Sequence, residues 1–280
     1  MEIGKNSLRS CLPLRKERID KLLVTRGFFE SREKAQRALM AGIVFVDGRR
    51  IDKAGEKVPE NASIEVKGEV CPYVSRGGLK LKKAIDEFGI VLKDKICLDV
   101  GASTGGFTDC MLKEGAFKVY AVDVGYGQLH WSLRINPRVV PIERFNARYL
   151  DEKVIPEKVD FFAMDLSFIS VKKVLPPVER VLKKGESEGV VLIKPQFEAG
   201  RQKVKGGVVR DKRVHIEVIE EIVTFVDEEL ELFPLDLTFS PIKGPEGNIE
   251  FLLYVGFRRG NFRKEMISSI VEFAHATLGD

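Results

Sequence analysis

The chain has 280 residues, 44% of them hydrophobic, enough for a large domain with a buried core plus a smaller one, so disorder is not the default reading. Four scattered cysteines (Cys11, Cys71, Cys97, Cys110) and only three histidines argue against a disulfide framework and a zinc site, so no metal is expected. Net charge is +4 and the excess sits at the front: residues 1–70 carry 15 Lys and Arg against 11 Asp and Glu, and residues 71–280 carry 31 of each.

A basic end points to a phosphate-rich partner. Residues 1–16 form an extension without a readable motif and without the apolar core of a signal peptide. No later run approaches the roughly 20 apolar residues of a membrane span, so a soluble, cytoplasmic protein is expected.

Residues 17–67 read as a small α+β unit. Ile19, Leu22 and Leu23 have helical spacing, and Arg26-Gly27 ends that helix; Ser31 then caps a second one over "REKAQRALMAG", which closes at Gly42. Next, "IVFVDGRRI" alternates around Asp47-Gly48, a hairpin signal, and "ASIEV" adds another strand. Arg32 and Gln36, four apart, share a helix face, while Ala35, Ala38 and Leu39 face inward. The stretches "RIDKLLVTRG", "SREKAQ" and "GIVFVDG" resemble the S-four RNA-binding domain. That resemblance implies an RNA face made of Arg18, Arg26, Arg32, Gln36 and Arg37, where guanidinium groups pair with phosphate and stack on unpaired bases.

Residues 68–74 read as a short linker, and 75–280 as the large domain. Its apolar runs "ICLDV", "KVYAVDV", "VVPIERF", "DFFAMDL", "GVVLIKP", "LDLTFSPI" and "EFLLYVGF" suit buried strands. Stretches such as 171–184 and 211–230 can form helices between them, which predicts an α/β sheet, largely parallel, with the last two strands antiparallel to each other.

In "LDVGASTGGFTD" a strand ends at Val100, and Gly101, Gly105 and Gly106 lead into a helix, where bare amides suit a carboxylate, ribose or phosphate. A dinucleotide site would need glycine at position 103. Ser103 stands there, so S-adenosylmethionine is the better guest than NAD. The residues expected to hold it are Asp99, Gly101, Ala102, Ser103, Gly105, Gly106 and Phe107 of this turn, together with Asp165. Asp123 ends the next strand, where a carboxylate accepts from ribose hydroxyls, and Asn146 is placed for the adenine edge.

Charged residues also stand at strand ends: Asp165 after "DFFAM", Lys194 after "GVVLI" and Glu250 opening "EFLLYV", with Lys80 on the helix before the first strand. Burying such groups is costly, so each needs a partner or a task. Lys80, Asp165, Lys194 and Glu250 resemble the Lys-Asp-Lys-Glu set of FtsJ-type RNA 2′-O-methyltransferases. With the front domain, "YVSRGGLKL", "KPQFE" and "GPEGNIEF" make residues 17 to about 257 resemble the TlyA family, historically labelled hemolysins and implicated in methylating cytidines of ribosomal RNA. One departure is Gly78-Leu79 before Lys80, where the family often has an aromatic.

The resemblance implies a Rossmann-like S-adenosylmethionine-dependent methyltransferase sheet acting on a ribose 2′-hydroxyl, with ribosomal RNA or ribosomal subunits as partner and no membrane. Lys194 is expected to hold and polarise the hydroxyl, Asp165 to orient Lys194, Lys80 to meet phosphate or hydroxyl, and Glu250 to position either lysine. The basic loop with Arg201, Lys203, Lys205 and Arg210 is placed to close over a backbone. Rival readings are a non-catalytic ribosome-assembly factor, a membrane-lysing hemolysin and an NAD-linked enzyme.

Overall fold

The computed structural model describes residues 15–68, 71–260 and 262–279; the N-terminal extension read above lies outside them except for its last two residues. The chain divides into two compact units, Met1–Pro72 and Tyr73–Asp280.

The first unit contains β1 (Lys16–Arg18), α1 (Ile19–Thr25), α2 (Arg32–Met40), β2 (Val44–Val46), β3 (Arg49–Arg50), β4 (Lys57–Pro59) and β5 (Ile64–Val66). Ser31 caps α2 by accepting from the Lys34 N–H, and Ile19, Leu22 and Leu23 of α1 pack with Ala35, Ala38 and Leu39 of α2 and with Val44 and Val46. The expected hairpin is present: β2 pairs with β3 across Asp47-Gly48, whose φ values of 49° and 77° are the left-handed pair a two-residue turn of this kind requires. β5 pairs on the other side of β2, and β1 pairs with β4 in a separate two-stranded ribbon. Three-residue strands exposed on alternate positions leave little periodicity, which is why β1 and β4 escape a sequence reading.

The second unit runs α3 (Gly77–Phe88), β6 (Ile96–Val100), α4 (Gly106–Lys113), β7 (Lys118–Val122), α5 (Trp131–Arg134), β8 (Val139–Ile142), β9 (Phe161–Met164), α6 (Leu175–Arg180), β10 (Glu188–Ile193), α7 (Pro195–Glu198), α8 (Lys212–Glu229), β11 (Phe233–Phe239), β12 (Phe251–Gly256) and α9 (Met266–Leu278). All seven apolar runs are strands of one sheet, ordered β11-β12-β10-β9-β6-β7-β8. The five from β8 to β10 are mutually parallel; β12 is antiparallel to both β10 and β11. Prolines sit only in the two edge strands, Pro141 in β8 and Pro234 beside a register shift in β11, where a missing N–H costs least. Leu98 and Val100 belong to the core that also holds side chains of α6, α8 and α9, while α3 and α4 pack on each other and against β12, β6 and β7.

The helix expected over 171–184 is shorter than its composition indicates. Pro176 and Pro177 are accommodated only in a first helical turn, so α6 starts at Leu175 and a separate 3-10 turn covers Val171–Lys173. Tyr73 and Val74, read as the end of a linker, belong to the second unit: Tyr73 is buried and the Val74 N–H donates to Asp109 Oδ2 at 2.9 Å.

The apolar face of α8 (Val218, Ile219, Ile222, Val223, Val226) is buried, each side chain contributing about 1.5–3 kcal/mol relative to exposure. His215 shares that face. It is fully buried with Nδ1 2.9 Å from His275 Nε2 on α9, and burial, then His275, lower its pKa from 6.5 to about 4. A group whose folded pKa is depressed in this way favours the folded state above about pH 6.5 and loses that contribution as pH falls toward 4. At pH 5 the loss is about 2 kcal/mol, and His215→Phe is expected to flatten the difference in melting temperature between pH 7.5 and pH 5.

Candidate active site

After β6 the chain turns to β7 and β8 on one side, while β9 and β10 lie on the other, so a crevice opens at the carboxyl ends of β6 and β9. Only glycine fits at the β6 exit. Gly101 has φ +90°, and a Cβ there would lie 2.3 Å from the Asp165 carbonyl oxygen at the β9 exit. Gly106 is equally confined, with Ser75 Oγ 2.3 Å from its would-be Cβ, and Gly105, φ +95°, packs against Leu129 and Leu133. These glycines bring the turn, the start of α4 and the segment before α3 into contact.

Two adjoining cavities of about 290 and 400 Å³ share Gly101, Ser103, Asp165 and Ser167. The first is also lined by Ala102, Gly106, Phe107, Lys80 and Lys194; the second by Asp123 and Asn146. Of the residues expected around the cofactor, Asp99 and Gly105 line neither. Asp99 is fully buried, accepting from the Thr108 N–H (2.9 Å) and hydroxyl (2.6 Å), and burial pushes its carboxyl up to about 7 against those bonds. Asp99 thus ties β6 to the first turn of α4.

Asp123 accepts from the Ser103 N–H with one oxygen and the Gly125 N–H with the other, both at 2.7 Å, which orients its carboxylate and leaves lone pairs for hydroxyl donors. Asn146 Oδ1 accepts from the Arg148 N–H at 3.1 Å, so its NH₂ end is the donor in the second cavity.

The four charged residues form two couples. Lys80 Nζ and Glu250 Oε2 are 2.5 Å apart, both buried, with Glu250 at 0% exposure; Lys194 Nζ lies 2.5 Å from Asp165 Oδ1. Glu250 is the most desolvated. Burial raises its pKa, opposed by Lys80 and then Lys194, so all four share one electrostatic site.

Lys194 also donates to Ser167 Oγ at 3.0 Å. Ser167 lies on both cavities and the sequence reading passed over it, although a hydroxyl two residues beyond Asp165 on the same strand exit is a recognisable signal. Gly78, noted as a departure, has a packing reason: its Cβ would meet the Tyr73 ring at 2.3 Å. The basic loop after Lys194 is fastened. Asn248 accepts from the Val209 N–H (3.0 Å) and donates to the Gly207 carbonyl (2.8 Å), and Lys203 pairs with Glu217.

In the first unit, three of the five proposed RNA-face residues converge on one buried acid. Asp20 accepts from Arg18 (3.0 and 3.1 Å), Arg32 (2.7 Å) and Gln36 (3.1 Å), and these partners, Arg18 first, hold its carboxyl well below the usual range. Arg26 instead donates to the carbonyls of Glu60 and Ala62, and Arg37 is half-buried with Nε unpartnered. Arg26 is therefore a brace for the 60–62 turn. Asp20→Ala is expected to strip hydrogen-exchange protection from α1 and α2 by about 2–3 kcal/mol, leaving α8 unchanged, because it releases two half-exposed arginines from a buried partner.

The FtsJ-like methyltransferase family matches residues 73–257, and the S4 domain matches residues 17–64. YqxC of Bacillus subtilis, named as an rRNA methyltransferase, is 50% identical over 274 residues, covering 94% of this chain and 96% of that protein. The 16S/23S rRNA (cytidine-2′-O)-methyltransferase TlyA of Mycobacterium tuberculosis is 41% identical over 243 residues, covering 86% and 90%. A solved Streptococcus thermophilus structure, named as a hemolysin, superposes with a TM-score of 0.74 at 44% identity, covering 94% and 97% of the two chains.

Proposed function

The chain belongs to the FtsJ-like methyltransferase family, with an S4 domain before the catalytic part, and from that membership we propose that it methylates the ribose 2′-hydroxyl of a cytidine in ribosomal RNA, using S-adenosylmethionine. One observation carries the reading: Lys80, paired with Glu250, and the Lys194–Asp165 couple line the same cavity as the glycine turn.

The residues present fit the cofactor. Gly101 and Ser103 belong to both cavities, which suits a ligand with an amino-acid end in one and a nucleoside end in the other. Asp123 would take the ribose hydroxyls and the Asn146 NH₂ the adenine edge; Gly101, Ala102 and Gly106 leave room for the remainder. When bound, the sulfonium supplies an electrophilic methyl group and departs as a neutral thioether.

The protein's task is to present the acceptor oxygen. Lys194 has three N–H donors, of which one is directed to Asp165 and one to Ser167; the third would meet the acceptor O2′ and favour the negative charge that grows there as its proton passes to solvent water. Asp165 and Ser167 fix the direction of that third donor, so they act through Lys194. The direct Lys80–Glu250 pair supports Glu250 acting on Lys80, which leaves Lys80 to hold the phosphate or hydroxyl side of the nucleotide. Holding the two reactants in line supplies much of the remaining acceleration.

The test is transfer of labelled methyl to purified small and large ribosomal subunits and their naked RNAs, followed by mapping of the modified nucleotide. Label on the 2′-oxygen of a cytidine is the expected result. Cofactor binding with no label on any of these RNAs would overturn the substrate, and absence of cofactor binding would overturn the reaction. Among the described residues no helix is long and apolar enough to cross a membrane.

A further inference from the structure

The large domain is neutral as a whole, but its charge is unevenly placed. Residues 131–149, "WSLRINPRVVPIERFNARY", contain four arginines, no lysine and a single acid. Two of the arginines are structural: Arg134 pairs with Glu143, and Arg138 donates to the Ala116 carbonyl. The other two lie over aromatic rings, Arg144 at 4.1 Å from the Tyr126 centroid and Arg148 at 5.8 Å from that of Tyr149, and neither makes an ion pair among the described residues.

The rings themselves are exposed, Tyr126 at 65%, Trp131 at 64% and Tyr149 at 68%. They come from the segments between β7 and β8 and between β8 and β9, Trp131 opening α5 and Tyr149 closing a 3-10 turn, and the same segments supply Asp123 and Asn146 to the second cavity. Trp131 follows His130, whose N–H donates to the carbonyl of Thr104 on the wall of the first cavity. Arg144 is held with φ +55°, a left-handed conformation costing about 1 kcal/mol or more for a residue other than glycine, while its N–H donates to the Gly125 carbonyl. The backbone thus sustains strain at the residue that lies on Tyr126.

Exposed aromatic rings alone fit a protein partner as well as a nucleic acid. A guanidinium over the Tyr126 ring and a second near Tyr149, arginine used to the exclusion of lysine, and a position on the rim of the proposed reaction site favour unpaired bases, which stack on both kinds of plane, with phosphates beside them. We propose that Tyr126, Trp131, Arg144, Arg148 and Tyr149 form a stacking platform for single-stranded RNA flanking the acceptor nucleotide. The proposal rests on the RNA methyltransferase reading and adds a second RNA surface, on the catalytic domain.

Trp131 is the chain's single tryptophan, so its fluorescence reports on this rim alone. The full chain is titrated with an unstructured 12-nucleotide RNA, with fluorescence anisotropy of the labelled RNA followed in parallel. Saturable quenching of Trp131 is expected, and its midpoint should rise about tenfold in the Tyr126→Ala, Arg144→Ala double variant, near 1.4 kcal/mol and within the range of base stacking. Arg144→Lys should recover only part of the loss. The affinity for S-adenosylmethionine should stay within about twofold in every variant.

Unchanged tryptophan emission while anisotropy shows the same RNA bound would overturn the platform, as would failure of the oligomer to bind by either readout. Methyl transfer to ribosomal subunits separates the two ideas: transfer without quenching removes the platform alone, and quenching without transfer supports the platform while removing the reaction.

Discussion

Alanine in place of Lys194 is expected to lower methyl transfer by about three orders of magnitude while the affinity for S-adenosylmethionine stays within about twofold. The size follows from the proposed task, since loss of one positioned donor to a developing oxyanion typically costs between about 10²- and 10³-fold. The fall should appear in kcat, because Lys194 would act on charge that develops only in the transition state. Its partner Asp165 keeps a 21% exposed side chain, so water can solvate the carboxylate left behind and the fold should persist. Lys194→Arg should recover little, because a planar fork cannot reproduce the point charge directed between Asp165 and Ser167. Turnover at the wild-type rate by Lys194→Ala would remove this residue from the chemistry.

Lys80 should behave differently although it belongs to the same set. Its partner Glu250 has no exposure at all, and burial already raises that carboxyl's pKa. Lys80→Ala would leave an uncompensated buried charge, a change that usually costs about 3–5 kcal/mol unless the carboxyl takes up a proton. Loss of activity in Lys80→Ala therefore mixes catalysis with folding. The double variant Lys80→Met, Glu250→Gln separates them: melting near the wild-type temperature with activity still lost would assign Lys80 to the reaction.

How much of this is legible before folding depends on burial. The five inner strands of the large sheet are buried almost throughout, so they read as unbroken apolar runs, and "DFFAMDL" or "GVVLIKP" needs no context. The charged residues at their ends stand out for the same reason, as interruptions at the limit of an apolar run. Their pairing does not: Lys80 and Glu250 are 170 positions apart, and nothing local distinguishes Glu250 as a partner for Lys80 from Glu250 as a partner for Lys194. Asp20 and Ser167 are harder to read, because each is a common residue whose importance is a matter of what converges on it; for Ser167 the signal is its place two residues beyond Asp165. Asp20 gives one local hint, an acid beside the buried Ile19 on a helix face that should be apolar. The arginine rim was hidden by arithmetic, since a net charge taken over residues 71–280 cancels it.

Gly101→Ala is expected to weaken S-adenosylmethionine binding by at least about a hundredfold and to depress kcat as well. Two costs combine at this position. A φ of +90° is strained for any residue with a Cβ, at about 1–3 kcal/mol, and that Cβ would lie 2.3 Å from the Asp165 carbonyl oxygen, which is backbone and cannot swing aside. The β6 and β9 exits must then separate. Separation moves the turn that would carry the cofactor and the residue that orients Lys194, so binding and chemistry should fail together. Gly185→Ala supplies the contrast: φ there is +80°, yet nothing lies within 4 Å of the added carbon, so only the backbone cost of about 1 kcal/mol applies. Gly185 lies in the turn before β10, at the opposite end of the strand from Lys194. Calorimetric cofactor titration and melting curves on the two variants would therefore separate strain from close approach. If Gly101→Ala merely matched Gly185→Ala in stability and bound cofactor normally, the contact between strand exits would carry no functional weight.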